Sequence, residues 1–130
     1  MPLHLKSIAG FNEVASWFGD WPSFHDAEIL QLCLDRTGQS FLKVLTWQRT
    51  REVDERGVYV QKKHAVVVFL LDGVRDVSLD GFNHQNVIFG LDVETTETGV
   101  KLTMDPCFGL SGSIEAKGLR LELQPRGSDG

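Results

Sequence analysis

The sequence predicts an α+β fold, mainly an antiparallel β-sheet of about seven or eight short strands with one N-terminal helix packed on it. Three observations carry this prediction. Apolar residues recur with helical spacing in one segment, near the start of the chain. After that segment they recur in short runs with the two-residue period of a strand. Turn signals with glycine or aspartate separate the runs, and no crossover helices lie between them.

The helix is predicted over residues 8–18. Ser7 lies in a position to cap its first turn, and Gly19 follows as a natural stop. The apolar positions that share one face of this helix are Ile8, Phe11, Val14, Ala15 and Phe18. Because so short a helix depends on packing for its stability, we expect that face to lie against the sheet.

Eight runs are strand candidates: 30–34, 41–50, 64–71, 74–79, 86–95, 99–104, 110–116 and 119–124. The run 64–71 (HAVVVFLL) is almost wholly apolar, which predicts a central strand covered on both faces. The mixed charges of 49–57 predict a solvated connection. Turn signals between the later strands lie at 72–73, 80–81, 97–99, 105–106 and 117–118.

Length and charge limit the class of protein. A chain of 130 residues fits one domain, which we expect to span 1–124, with a frayed tail at 125–130. The formal charge of −5 argues against a nucleic-acid-binding protein, because such proteins usually carry a basic patch. The same charge is compatible with a basic protein partner.

The sequence favours a cytoplasmic protein. No apolar run approaches the roughly 18 residues that a membrane-spanning helix needs, and the first ten residues lack the apolar stretch of a secretory signal. Cys33 and Cys107 are the only cysteines, too few for a disulfide framework. The pattern leaves the oligomeric state undetermined, although an open sheet would offer edge strands for self-association.

The most unusual segment is WPSFHDAEI, residues 21–29. It gathers aromatic residues, a proline, a histidine and two carboxylates just before a strand, where loops often carry function. Packing explains much of this composition, because Trp21 and Phe24 would seal the helix onto the sheet. Ser23 and Asp26 would satisfy free backbone donors at the turn.

Three chemical alternatives exist for this segment. His25, Asp26 and Glu28, with His64 or His84 added, are residue types that bind zinc or manganese. However, His25 and Glu28 are three apart, and residues three apart on a strand point to opposite faces. Asp26 and Glu28 on one face would form a carboxylate pair for acid–base catalysis. Ser23 or a cysteine with a histidine would form a nucleophile and base, but no recognisable motif surrounds them. We expect no catalytic residue, no bound metal and no cofactor.

Three segments resemble the immunity protein 50 family of bacterial polymorphic-toxin systems. They are residues 21–29, residues 79–89 (LDGFNHQNVIF) and residues 108–116 (FGLSGSIEA), and the likeness extends over about residues 11–123. The resemblance implies a non-enzymatic bacterial protein that binds and neutralises a cognate toxin in the cell that makes both.

The resemblance supplies no catalytic residues. The positions of the first segment are therefore candidates for structure or contact: Trp21, Phe24, His25, Asp26 and Glu28. A few aromatic or arginine anchors usually dominate a protein interface, so the exposed members of Trp47, Phe82 and Phe89 are candidate partner contacts. The alternative functions are a small hydrolase or metal-dependent enzyme that uses His25, Asp26 and Glu28, and a structural or regulatory β-module without a toxin partner.

Overall fold

The computed structural model describes residues 5–53, 55–57 and 59–125. A 3₁₀ helix at Leu5–Ser7 precedes helix α1 at Phe11–Phe18. The strands are β1 Glu28–Cys33, β2 Ser40–Val53, β3 Tyr59–Asp80, β4 Val87–Thr96, β5 Gly99–Phe108 and β6 Ser111–Pro125. All neighbouring pairs are antiparallel, and the sheet closes into a barrel in the order β1-β2-β3-β6-β5-β4. The predicted α+β class is confirmed.

The described part of the chain has six strands where eight runs were predicted, because two pairs of runs are continuous. Runs 64–71 and 74–79 both belong to β3, and runs 110–116 and 119–124 both belong to β6. The expected turns at 72–73 and 117–118 lie side by side in the ladder, where Asp72 pairs with Gly118. Gly73 has a φ of 66°, which suits a bend within a strand. We call this paired bend the glycine corner.

Two further sequence expectations were wrong. β5 continues through the expected turn at Asp105-Pro106, and Pro106 pairs with Ile88 where the register shifts on both sides. Such irregular pairing tolerates a proline, which cannot donate to a regular ladder. Most of the stretch 49–57 is also strand rather than connection, since β2 reaches Val53 and β3 begins at Tyr59. The predicted turns at 80–81 and 97–98 are confirmed.

Helix α1 begins at Phe11, and Ser7 does not cap it. Its N-cap is Gly10, which has a φ of 92° and makes no side-chain capping bond. The chain crosses β6 closely here, because the Leu121 amide donates to the Ala9 carbonyl oxygen at 2.8 Å. A Cβ on Gly10 would lie 2.0 Å from the Leu121 carbonyl oxygen, so only glycine fits. Gly19 ends the helix at a φ of 86°, as predicted.

The core lies inside the barrel and under the helix. The buried helical side chains Phe11, Val14 and Phe18 belong to the same apolar cluster as the inward-facing residues of the strands. Strand β3 contributes alternate residues to that cluster, and its outward-facing Val66 and Val68 are buried as well. The predicted central strand with both faces covered is therefore confirmed.

The ends of the chain add little to this picture. Pro125 ends β6, and the rest of the predicted tail lies outside the described residues. Within those residues, no helix has the length and apolar character that crossing a membrane requires.

Candidate functional site

The segment 21–29 connects α1 to β1 along the flank of β2. With the residues just before it, it lines a pocket of about 340 Å³ whose other wall consists of Thr46, Trp47 and Gln48. Gln48 fastens the start of this connection, because its Nε2 donates to the Phe18 carbonyl oxygen at 3.0 Å. The segment therefore lies against the barrel wall.

Trp21 and Phe24 join the helix to the barrel core through a continuous line of rings. Trp21 stacks on Phe11 with ring centroids 5.1 Å apart and meets Phe24 edge-on at 5.5 Å. Phe24 packs against Phe69 of β3 at 5.6 Å. Phe24 is fully buried and Trp21 is half-buried. Each aromatic pair adds about 0.5–1.5 kcal/mol beyond area burial, so both residues contribute to stability through packing.

The backbone of this segment is strained at two residues. Phe24 and Asp26 have φ values of 61° and 65°, in the left-handed region that costs a non-glycine residue about 1–3 kcal/mol. The Ala27 amide donates to the Phe24 carbonyl oxygen at 3.0 Å and closes a tight turn. Ser23 Oγ accepts from the His25 amide at 3.2 Å. Burial of the Phe24 ring offsets the strain and keeps the turn in place.

This turn closes the barrel between β1 and β4, along a line that we call the seam (residues 25–29 against 86–89). The strand ladder itself has one pair there, Glu28 with Val87. Three backbone hydrogen bonds hold the seam: Asp26 N to Ile88 O at 2.8 Å, Ile88 N to Ala27 O at 2.8 Å, and Ile29 N to Asn86 O at 2.9 Å. The strained turn thus presents backbone groups to β4 where β1 has not yet begun.

His25 extends the seam with its side chain. Its Nδ1 lies 3.1 Å from the Phe89 carbonyl oxygen, and because a carbonyl oxygen only accepts, this contact places a hydrogen on Nδ1. The imidazole also meets the Phe89 ring edge-on at 5.2 Å. The other ring nitrogen, Nε2, lies 3.7 Å from an Asp26 carboxylate oxygen. Through Nδ1 and its ring, His25 therefore helps to close the barrel.

The structure brings the side chains of His25 and Asp26 together. Among residues 5–53, 55–57 and 59–125, no three His, Cys, Asp or Glu side chains are grouped to hold a metal ion. Glu28 begins β1, between Leu45 on one side and Val87 on the other. A histidine with one adjacent carboxylate is compatible with proton transfer.

The predicted contact residues differ in exposure. Phe82 is 63% exposed and Phe89 is 55% exposed, whereas Trp47 is half-buried and its ring lies 5.7 Å from that of His64. Sequence analysis missed Phe108, which is also exposed and sits opposite Val87 at the end of β5. The signal for Phe108 was obscured by the Asp105-Pro106 pair, which was taken as the end of that strand.

Asn86 is a second residue that sequence analysis did not single out. It is buried, and its Oδ1 accepts from the Leu110 amide at 2.9 Å and from the Asn83 amide at 3.0 Å. Its Nδ2 donates to the Asn83 carbonyl oxygen at 2.9 Å. These bonds fix the loop before β4 to the turn between β5 and β6. The loop that carries Phe82 is therefore held by a buried amide and not by apolar packing alone.

Comparison with known proteins identifies the family. No curated protein and no solved structure matches the chain. The family model described as Immunity protein 50 matches residues 11–123, a range that includes α1, the segment 21–29, the seam and nearly all of β6. On this match over most of its length, the chain belongs to the immunity protein 50 family.

Proposed function

We propose that this chain neutralises a cognate bacterial toxin by binding to it in the cytoplasm of the cell that makes both proteins. The observation that carries the proposal is the family match over residues 11–123. An immunity protein needs a surface complementary to its toxin, and it needs no catalytic residues for that purpose.

Exposed aromatic side chains support inhibition by binding. Phe82, Phe89 and Phe108 are all exposed, on the loop before β4 and on the neighbouring strands β4 and β5. Aromatic residues are enriched among the few side chains that dominate interface energies. Phe82 and Phe89 remain our candidate anchors, and Phe108 joins them. The half-buried Trp47 is a weaker candidate because part of its ring is already packed.

Charge on the outer face of the barrel supports a neutral to basic toxin surface. In the ladder, Glu94 pairs with Lys101, and Lys101 pairs with Glu115 on its other side. Asp92 and Asp105 lie on the same two strands as this row and are exposed. The electrostatic field of these acidic side chains accelerates encounter with a basic partner. Dissolved salt screens this field.

The contacts of His25 with strand β4 argue against the alternative enzyme that would use His25, Asp26 and Glu28. His25 contacts a backbone carbonyl of β4 through Nδ1 and packs against Phe89, so its position follows from barrel closure. Asp26 adopts positive φ in the same turn. We infer that these residues position the seam.

Co-expression tests this function. The chain is produced with the toxin encoded beside it, and growth and complex formation are measured together. We expect growth rescue by the chain and a stable complex on size-exclusion chromatography. His25→Ala and Glu28→Ala, checked for folding by circular dichroism, should still rescue. Loss of rescue in both folded variants while the complex still forms would mean that the chain acts by chemistry.

A further inference from the structure

A cleft runs between β1 and the second half of β3. Two successive depressions of about 470 and 400 Å³ follow β3, one beside residues 73–77 and the next beside residues 79–82. Apolar side chains line both of them: Leu32, Leu34, Val77, Leu79 and Phe82. Leu34 is 46% exposed and Val77 is 38% exposed. We call this surface, defined by those five residues, the β1–β3 cleft.

One edge of β3, the edge that faces this cleft, has no partner strand in the described part of the chain. β2 pairs with β3 only as far as Leu71, which lies opposite Ser40. Gln39 caps that point, because its Nε2 donates to the Leu71 carbonyl oxygen at 3.0 Å. Beyond it, within the described ranges, the ladder pairs of residues 74–80 are with β6 alone. An unpaired edge of this kind is a template for an added strand.

The rim of the cleft along β3 is acidic. Asp76 lies directly opposite Glu115, and like charges in that arrangement destabilise a sheet. Asp80 is exposed farther along the same strand. Arg75 belongs to this stretch, but its Nη2 donates to Thr98 Oγ1 at 3.2 Å, in the turn between β4 and β5. On the opposite wall Asp35 adjoins Arg36, so the charged side chains that line the two depressions are three aspartates and two arginines, which leaves one negative charge in excess.

We propose that the β1–β3 cleft receives an extended segment of the toxin in which apolar and basic side chains alternate. This inference rests on the proposed function. A strand paired with residues 73–80 would point alternate side chains to opposite faces. One set would contact Val77 and Leu79 in the cleft, and the other would lie beside Asp76 and Asp80 on the outer face, which their ladder partners Glu115 and Ser111 share.

Two registers in which a second copy of this chain could pair with the same edge are disfavoured by charge. Antiparallel pairing of two β3 edges about Asp76 would place Asp76 opposite its own copy. Pairing about Ser78 would place Asp76 opposite Asp80. Both registers set aspartate against aspartate, which is unfavourable, whereas a basic strand would place cations beside Asp76 and Asp80.

Synthetic peptides test the recognition without the toxin. The probes are an alternating lysine–valine heptapeptide, its glutamate–valine counterpart, and the lysine–valine peptide with alternate amides N-methylated. We expect the first peptide to shift the amide resonances of residues 73–80 and to slow their hydrogen exchange. The other two should bind at least roughly tenfold more weakly, because one reverses the charge and the other prevents strand pairing. Equal binding of the N-methylated peptide, or resonance shifts confined to other strands, would overturn the proposal.

Matched charge variants test the site. Asp76→Lys with Asp80→Lys removes the acidic rim, and Glu13→Lys with Glu97→Lys makes the same charge change at exposed positions on α1 and in the turn between β4 and β5. We expect the first pair to weaken binding of the lysine–valine peptide at least roughly tenfold and the second pair to weaken it much less. Equal losses would show a general charge effect and would refute the cleft.

Co-expression with the toxin separates this inference from the proposed function. If the unmodified chain rescues growth and the rim variant Asp76→Lys/Asp80→Lys does not, while the control variant Glu13→Lys/Glu97→Lys does, the cleft is the toxin site. If all three rescue and bind equally well, the chain is an immunity protein that uses another surface. If the unmodified chain fails to bind the toxin, the proposed function is wrong, and with it the toxin as occupant of the cleft.

Discussion

At the scale of single residues, the segment 21–29 contains some side chains whose roles can be predicted from the sequence and one whose role needs the structure. Its aromatic residues are read correctly as packing groups, because Phe24 is buried and Trp21 stacks on Phe11. The role of His25 could not be read in this way. Its partner is the carbonyl oxygen of Phe89, which lies far along the chain and carries no sequence signal of its own. Backbone acceptors are invisible to motif analysis, whereas apolar rings are not.

The first prediction concerns Phe24. Phe24→Ala should destabilise the protein by about 3–5 kcal/mol, because it removes a fully buried ring that contacts both Trp21 and Phe69 and leaves the strained φ unrelieved. Chemical denaturation monitored by tryptophan fluorescence measures this change. The matched control is Phe82→Ala, an exposed phenylalanine whose loss should change stability by about 0.5 kcal/mol or less. Similar costs for the two variants would refute the assigned role of Phe24.

At the scale of elements, glycine signals were recognised correctly but their meaning depended on pairing. The signal at 80–81 ends a strand, whereas the signals at 72–73 and 117–118 form the glycine corner inside β3 and β6. Local chemistry does not distinguish the two cases, because a glycine at positive φ serves a turn and a bend equally well. The difference arises from the ladder, where the second pair of signals coincides on neighbouring strands. Strand existence was therefore predictable, and strand number was not.

Hydrogen bonds between polar side chains join β3 and β6 at the glycine corner. The second prediction concerns these bonds. Arg120 on β6 donates to both carboxylate oxygens of Asp72, at 2.9 and 3.0 Å, and to Gln39 Oε1 at 2.7 Å. This hydrogen bonding holds the pKa of Asp72 below its ordinary value. The unfolded chain thus binds the proton more readily, so the stabilisation is present above about pH 4 and is lost as pH falls through the lower, folded-state pKa.

Asp72→Asn should therefore make the free energy of unfolding depend less on pH in the acid range. The free energy of unfolding, measured in urea between about pH 2.5 and 7, should differ from that of the parent near neutral pH and converge with it at the acid end. The effect is small because both side chains are about half exposed. A difference that grows as the pH is lowered would contradict the assignment. Asp92→Asn, an exposed carboxylate away from the corner, is the control.

At the scale of the whole molecule, the barrel is closed unevenly. β3 pairs with β6 from Ala65 to Asp80, whereas the seam between β1 and β4 has one ladder pair and three backbone bonds. Sequence analysis predicted the antiparallel sheet but not its closure into a barrel. Closure depends on the short β1 and on the turn before it, and neither has a periodicity that identifies its distant partner.

The third prediction is that the barrel opens first at the seam. The amides of Asp26, Ile29 and Ile88 should exchange with solvent through partial openings, faster than the amides of the β3–β6 ladder, which should require global unfolding. Native-state hydrogen exchange at increasing urea concentration distinguishes the two classes. Equal protection of seam and ladder amides would show that the barrel opens as one unit.

The uneven closure also has a consequence for synthesis on the ribosome. The segment 21–29 emerges early, but its partner strand begins only at Val87 and the main partner of β3 ends at Pro125. At about 5–20 residues per second, β1 waits roughly 5–20 s before β6 is complete. During that interval Trp21 and Phe24 have no barrel to enter, and the hairpin of β2 and β3 lacks its other neighbour. The nascent chain is therefore exposed to aggregation until β6 has been made, and the barrel can close only after Pro125 has emerged.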